Sequence, residues 1–424
     1  MNKKTGAVYL TFLIALLTLV GCGGGNQQSP ASEESESDQT AIKVWVMGSD
    51  EYWRTYHDEL VDRFTKDNPM IQVELEYIPW NEGEKKLITA AANESLPDVS
   101  TIAGRWTAQM AEMDVLEPLN NFYKDDYPEQ FVKAAWDTTQ YKGKTWGLPV
   151  GFTTTGLFYR SDWLEQAGFE QAPATWEEFV EVSKSFTKDG HYGFGLVGYN
   201  GMETTMFWAP FLWSNGGEFL TSDLKQAAFN EPEAVEALQF YVDLYREHKV
   251  APEGSINNQR QDSQDLFLTG SVGMTTVGPW FPKFLEKDAP NLAFGIAPYP
   301  VKKKAANLGT ADHIVMFNTS NKKEAAWKFI DFFTNEENDK KWAKYQGFIP
   351  YRKANIENNE MANDPNFQLF FDVAKDSVSY PVLPEWPQID QAVAEAIQKA
   401  LMGEKTPKQA LDEAAETVNA LLNQ

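Results

Sequence analysis

AIKVWVMGSDEYWRTYHDELVDRFTKDNPMIQVELEYI, residues 41–78, changes its apolar period twice. Ile42, Val44 and Val46 alternate, the two-residue repeat of a strand with one face inward. Trp53, Tyr56, Leu60 and Phe64 then recur at helical spacing, and Asn68-Pro69 stops that helix. Ile71, Val73 and Leu75 alternate again. Strand, helix and strand within about 35 residues make a βαβ unit, whose crossover suits a parallel sheet and a right-handed connection. Leu87, Ile88 and Ala91 mark the next helix, and Pro97-Asp98-Val99 leads into another strand. The fold class read from this stretch is α/β.

Further along the chain, the pattern predicts more helices. Thr175 with Glu178 forms a capping box ahead of Phe179, Val180, Ser183 and Phe186. Pro232 opens a helix with Val235, Leu238, Val242 and Tyr245 on one face. Asn321 with Glu324 starts a third, carrying Ala326, Phe329, Ile330 and Phe333. Thr406-Pro407 starts the last, with Leu411, Ala414, Ala415 and Val418 inward. No internal repeat stands out at a fixed period, which argues against a solenoid or propeller.

The 424 residues suffice for two or three domains at roughly 100–200 residues each. With 37 Lys and Arg against 61 Asp and Glu, the formal charge of −24 disfavours nucleic acid as a partner. The single cysteine, Cys22, excludes an intramolecular disulfide. Lys3 and Lys4, an apolar run from Ala7 to Val20 and Gly21 read as an export signal over residues 1–21. Its ending, Leu19-Val20-Gly21-Cys22, resembles the lipobox of bacterial lipoproteins, which implies acylation of Cys22. Residues 22–40 then form a polar, acidic linker. Nothing later approaches the roughly 20 apolar residues of a membrane span. Membrane attachment is expected through the lipid alone.

Catalytic signatures are missing. Gly143-Lys144-Thr145 lacks the glycine that a phosphate loop needs, since residue 138 is threonine. His57, His191, His248 and His313 are too dispersed for a paired zinc helix, and no nucleophile elbow occurs. Neither an enzyme nor a metal or cofactor is expected. The aromatic load is the positive signal: 14 Trp, 16 Tyr and 27 Phe, about 13% of the chain. Trp208 lies in a crowded aromatic stretch, Trp280 in Gly278-Pro279-Trp280 and Trp386 just after Leu383-Pro384-Glu385. Tryptophans beside Gly and Pro sit on loops, where a ring can face a ligand, although Trp more often fills a core.

Several stretches carry a family resemblance: FTKDNP at 64–69, LPDV at 96–99, GKTWGLP at 143–149, LFYRSDWL at 157–164, APATWEEF at 172–179, FLTGSVGM at 267–274, GPW at 278–280 and KEAAWKFI at 323–330. In this order and spacing, nearly the whole chain after the linker resembles bacterial extracellular solute-binding proteins of the maltose-binding type, the receptors of sugar ABC importers. The resemblance implies a two-lobed periplasmic-binding-protein-like fold (type II) with a hinge. Lobe one is placed at residues 41–150 plus 304–348, and lobe two at 151–303 plus 349–424. It implies a monomeric receptor, lipid-anchored on the extracellular face of a Gram-positive type of cell, that closes on a sugar and delivers it to ABC permease subunits.

A sugar ring offers an apolar face and a hydroxyl-rich edge, so aromatic platforms and fixed polar groups are both required. Carried over by position, the stacking candidates are Trp280, Trp208, Trp106 and Trp386. The hydrogen-bonding candidates are Glu51, Arg105, Thr153, Asp312 and His313. Arg105 stands where maltose-type relatives carry an acidic sugar contact, and Met206 where an aromatic is expected. Arg105 therefore suits an acidic sugar or an internal ion pair. A secreted glycoside hydrolase, or a binder of another solute such as a polyamine or peptide, is the alternative.

Overall fold

The computed structural model describes residues 39–357 and 364–423. The signal segment, Cys22 and the linker up to residue 38 lie outside the described residues. Two sheets organise the rest. The first has five strands in the order Ile71–Ile78, Thr40–Met47, Val99–Ala103, Thr310–Met316, Leu148–Thr153. Its first three strands are parallel, with Thr40 opposite Ile71 and Val44 opposite Val99, as the βαβ pattern predicts. Thr310–Met316 then runs antiparallel to both of its neighbours. The second sheet has four strands, in the order Phe294–Ala297, Gly156–Arg160, Val272–Val277, Tyr192–Phe194.

Each sheet anchors a core. Tyr56, Leu60 and Phe64 of the helix Glu51–Asp67 pack under the five-stranded sheet with Phe329, Ile330 and Phe333. Around the four-stranded sheet, Phe179, Phe211, Tyr241 and Ile397 belong to the largest cluster, together with Trp208, Trp213 and Trp386. Helix starts follow the expected chemistry at three sites, one of them Pro232 at the head of the helix Pro232–Arg246. Thr175 accepts from the Glu178 amide at 3.2 Å while Glu178 accepts from the Thr175 amide at 3.2 Å. Thr406 and Gln409 form the same reciprocal pair at the last helix, Pro407–Leu422. The start expected at Asn321 differs: the helix begins at Lys323, with no side-chain cap. There Ser320 accepts from the Lys322 amide at 3.1 Å and donates to Asp98 at 2.6 Å, so the turn is organised by Ser320 instead of Asn321.

The chain passes between the halves at Thr153–Gly156, along Ala297–Thr310, and again between Tyr351, in the first core, and Phe370, packed against the second sheet. Asn307 joins the first two passages. It accepts from the Thr155 hydroxyl at 3.0 Å and donates to the Thr155 carbonyl. Ser377–Val378 adds a short parallel ladder to Asn307–Leu308. No helix among the described residues is long and apolar enough to cross a membrane.

Trp208 is fully buried, so Trp208→Ala should lower unfolding stability by about 3–5 kcal/mol. Urea denaturation measures this, and a loss under about 1 kcal/mol would contradict its place in the core.

Candidate functional site

Parallel strands deliver their following residues to one end of a sheet, where ligands of open α/β folds sit. Here Asp50 follows the first strand, Trp80 the second and Arg105 the third, and all three line one cleft that is partly open to solvent. Trp53, Asp312 and Phe348 complete this wall. The opposite wall comes from the other half: Met202, Met206 and Phe207 on the helix Met202–Ser214, Arg260 at the start of its helix, and Trp280 with Phe284. Thr153, Thr154 and Thr155, on the first passage between the halves, also line the cleft.

Trp280 reaches the five-stranded half, its ring 5.9 Å from Phe348. Gly347 permits this approach: its φ of 74° is left-handed, and a Cβ there would lie 2.7 Å from the Pro279 carbonyl oxygen. The Arg260 guanidinium sits 5.6 Å from the Trp280 ring centre and is held by Glu203, at 2.9 Å through its amide and 3.3 Å through Nε. Arg105 is also neutralised internally. Its Nε lies 3.9 Å from Asp390, and the two side chains are 5% and 3% exposed. Its terminal nitrogens meet the sulfurs of Met202 and Met206. The ion-pair use of Arg105 is therefore the one the geometry displays, and the pair joins the two halves.

The sequence candidates separate into two groups. Trp280, Arg105, Thr153 and Asp312 come together in the cleft. Trp208 and Trp386 are wholly buried in the large cluster instead, and Trp106 packs behind Trp80 with ring centres 6.3 Å apart. These three rings do not reach the cleft, because helix packing turns each toward a core. His313 is fully buried between Thr107 at 2.8 Å and Thr138 at 2.9 Å. Neighbouring strand residues face opposite sides of a sheet, so Asp312 and His313 could not share one ligand. Burial lowers the His313 imidazole to about 3. Glu51 is exposed and pairs with Lys287 at 3.2 Å.

Sequence reading missed Trp53, Trp80, Phe207 and Thr154. The end-of-strand rule could have found Trp80, which follows Ile78-Pro79 directly. Thr154 lines the cleft and is 1% exposed, and its hydroxyl has no partner within the chain. Among the described residues no cluster of His, Cys, Asp or Glu could hold a metal.

Comparison with known proteins agrees with this geometry. Residues 54–340 match the family described as bacterial extracellular solute-binding protein. A maltotriose-binding protein of Pyrococcus abyssi is 25% identical over 386 residues, spanning 89% of this chain and 81% of its own. An ABC transporter solute-binding protein from Thermotoga lettingae, solved with α-D-tagatose, superposes with a TM-score of 0.85 at 29% identity, covering 91% of this chain and 100% of its own. A maltose-bound protein of T. maritima gives 0.83 at 26% identity, covering 90% and 100%.

Burial pushes the Asp312 carboxyl up to about 7, with Arg105 opposing. The folded chain thus holds a proton that the unfolded chain releases near the ordinary carboxylate pKa of about 4, and stability falls as pH rises from there to about 7. Asp312→Asn should remove that slope, gaining on the order of 1–2 kcal/mol at pH 8 and little at pH 4. Denaturant titrations at the two pH values provide the check; equal gains at both would contradict it.

Proposed function

Because the chain belongs to the bacterial extracellular solute-binding proteins, we propose that it is a receptor that binds a sugar or oligosaccharide in the cleft and delivers it to an ABC importer. Members of the family and the structural neighbours are binding proteins, not enzymes. The observation that carries the sugar reading is the composition of the cleft. Trp53 and Trp80 stand on one wall and Trp280 on the other, with threonine hydroxyls and carboxylates between them. Flat rings cover the apolar faces of a pyranose, and the polar groups meet its edge.

In this reading ligand selects the closed arrangement by touching both walls at once, and the passages near Thr155 and Asn307 act as the hinge. The lobes change over within the three passages, so the expected bounds at 150, 303 and 348 move to about 153, 310 and 351, leaving Tyr351 with the first lobe and Leu308 with the second. Acylation of Cys22 tethers a monomeric receptor to the outer face of a Gram-positive type of membrane, and the lipobox supports that part. Trp280 is the principal stacking ring, and Thr153, Asp312 and Arg105 act on the polar edge.

A thermal-shift screen of carbohydrates tests the receptor function. Saturation near 100 times Kd adds about 2.7 kcal/mol to stability, and the sugar should be recovered unchanged after prolonged incubation. Reducing ends accumulating in that incubation would instead favour a hydrolase. Trp280→Ala should weaken the sugar that shifts the wild type by about tenfold or more in calorimetry performed well below the variant's own unfolding midpoint, which falls as its packing on Phe348 is lost. Undiminished affinity would remove Trp280 from the site.

A further inference from the structure

The cleft holds more acid than base. Asp50, Glu203 and Asp312 stand on its walls against Arg105 and Arg260. Both cations are already engaged, Arg260 by Glu203 at 3.3 Å and Arg105 by Asp390 at 3.9 Å across the two halves. Among the described residues, Asp50 and Asp312 are left without a cation as ion-pair partner. Asp50 is exposed just ahead of the helix Glu51–Asp67, and its side chain makes no capping bond there. The nearest rim cation, Lys287, pairs with Glu51 instead.

Asp312 sits among rings. Trp53, Trp80 and Phe348 line the cleft with it, and the same three line a small space behind the wall with it as well. Burial raises its carboxyl, Arg105 is the one charge opposing that rise, and no hydrogen bond within the chain steadies the ionised form. Asp390 and Glu84 draw on the same guanidinium, so three carboxyls share one cation. His313, the next residue, is bound to Thr107 and Thr138 on the other face of the sheet and gives Asp312 no charge. A hydroxyl donating to Asp312 would add a hydrogen bond but leave the charge uncompensated. An ammonium brings three donors and the missing charge, in bonds roughly twice as strong as neutral ones, and tryptophan faces attract it. Trp280 already faces the Arg260 guanidinium at 5.6 Å, so the side of the cleft that lacks a cation is that of Trp53 and Trp80.

We propose that the ligand is an amino sugar with a free, protonated amine, whose ammonium group is held by Asp312 beside Trp53 and Trp80, with Asp50 adding attraction from the exposed edge of the same wall. This inference rests on the sugar-receptor reading and names the class of sugar. The sugar's hydroxyls and ring face still meet the threonines and Trp280, while the amine meets the acid that the chain leaves uncompensated. An N-acetylated sugar lacks the charge and does not fit this role, and a uronate would meet Asp312 with repulsion.

Calorimetry at pH 7 with matched sets tests it: glucosamine, N-acetylglucosamine and glucose; galactosamine, N-acetylgalactosamine and galactose; and the fully deacetylated glucosamine disaccharide with chitobiose and cellobiose. Wild type should bind the amine of at least one set about tenfold or more tightly than its acetylated and neutral counterparts, and added salt should narrow that gap. Asp312→Asn keeps the shape of the side chain and removes the charge, and should bring the members of that set to within about twofold of one another. Asp50→Asn, at an exposed position, should narrow the gap by a smaller factor at low salt. Neutral or acetylated sugars binding as tightly as the amine in every set, or an amine preference undiminished in Asp312→Asn, would overturn the amino-sugar assignment while leaving the receptor reading intact. Failure of every carbohydrate to bind wild type, whether or not spermidine binds, would overturn both.

Discussion

Asn307 holds the backbone carbonyl and the hydroxyl of Thr155 with one carboxamide, and so ties the first passage between the halves to the second. Everything in the cleft depends on that tie. The walls come from two separately packed cores, one around Phe64 and Phe329 and the other around Phe211 and Tyr241. Neither core alone forms a site. Trp80 and Trp280 face a common space only because the connecting backbone fixes where the second sheet lies relative to the first. Buried hydrogen bonds suit that task better than apolar packing, since their direction is fixed and a broken one leaves unpaired groups.

The parallel start of the fold was legible because its periodicity is local: Ile42, Val44 and Val46 need only a sheet above them, and Phe64 only a core below. The capping box at Thr175 and the helix start at Thr406-Pro407 were legible for the same reason, as each signal closes within four residues. The site was less so. An aromatic beside Gly or Pro has no intrinsic preference for cleft or core, and Trp280 and Trp386 have similar flanks. What separates them is a partner far away in sequence: Phe348 for Trp280, Phe219 and Tyr380 for Trp386. Met202 and Met206 show the helical counterpart, lining the cleft while Trp208, two positions beyond Met206, turns inward. Strand alternation was available for Asp312 and His313, and it separates them correctly.

Charge in the cleft is arranged as neutralised pairs. Glu203 engages Arg260, and Asp390 stands beside Arg105. A buried pair of this kind gains little net stability, because desolvation offsets most of the attraction, yet removing one partner costs several kcal/mol. Such pairs are poor glue and good locators. Each guanidinium is held beside a ring, Arg260 near Trp280 and Arg105 near Trp106, so both cations are oriented before any ligand arrives. With Asp50 and Asp312 also on the wall, the cleft presents no surplus of positive charge to attract an anion.

The same pairs bear on how a ligand drives closure. Arg105 and Asp390 belong to different halves, so separating them would return both charges to water and relieve the desolvation cost. In the arrangement described, the pair is buried, and the Thr154 hydroxyl, Arg105 Nε and Asp390 Oδ1 have no partner within the chain. A ligand shifts a conformational equilibrium only by the difference in its affinity for the two states. Hydroxyl groups that satisfy these atoms exist as contacts only when the halves meet, and so count wholly toward that difference. Stacking on Trp280 alone would not, since one ring on one wall holds a sugar equally well in either state. On the proposed function, the polar floor of the cleft therefore contributes to closure and selectivity together with the rings of the second wall to be engaged, while the first ring a sugar meets contributes affinity common to both states.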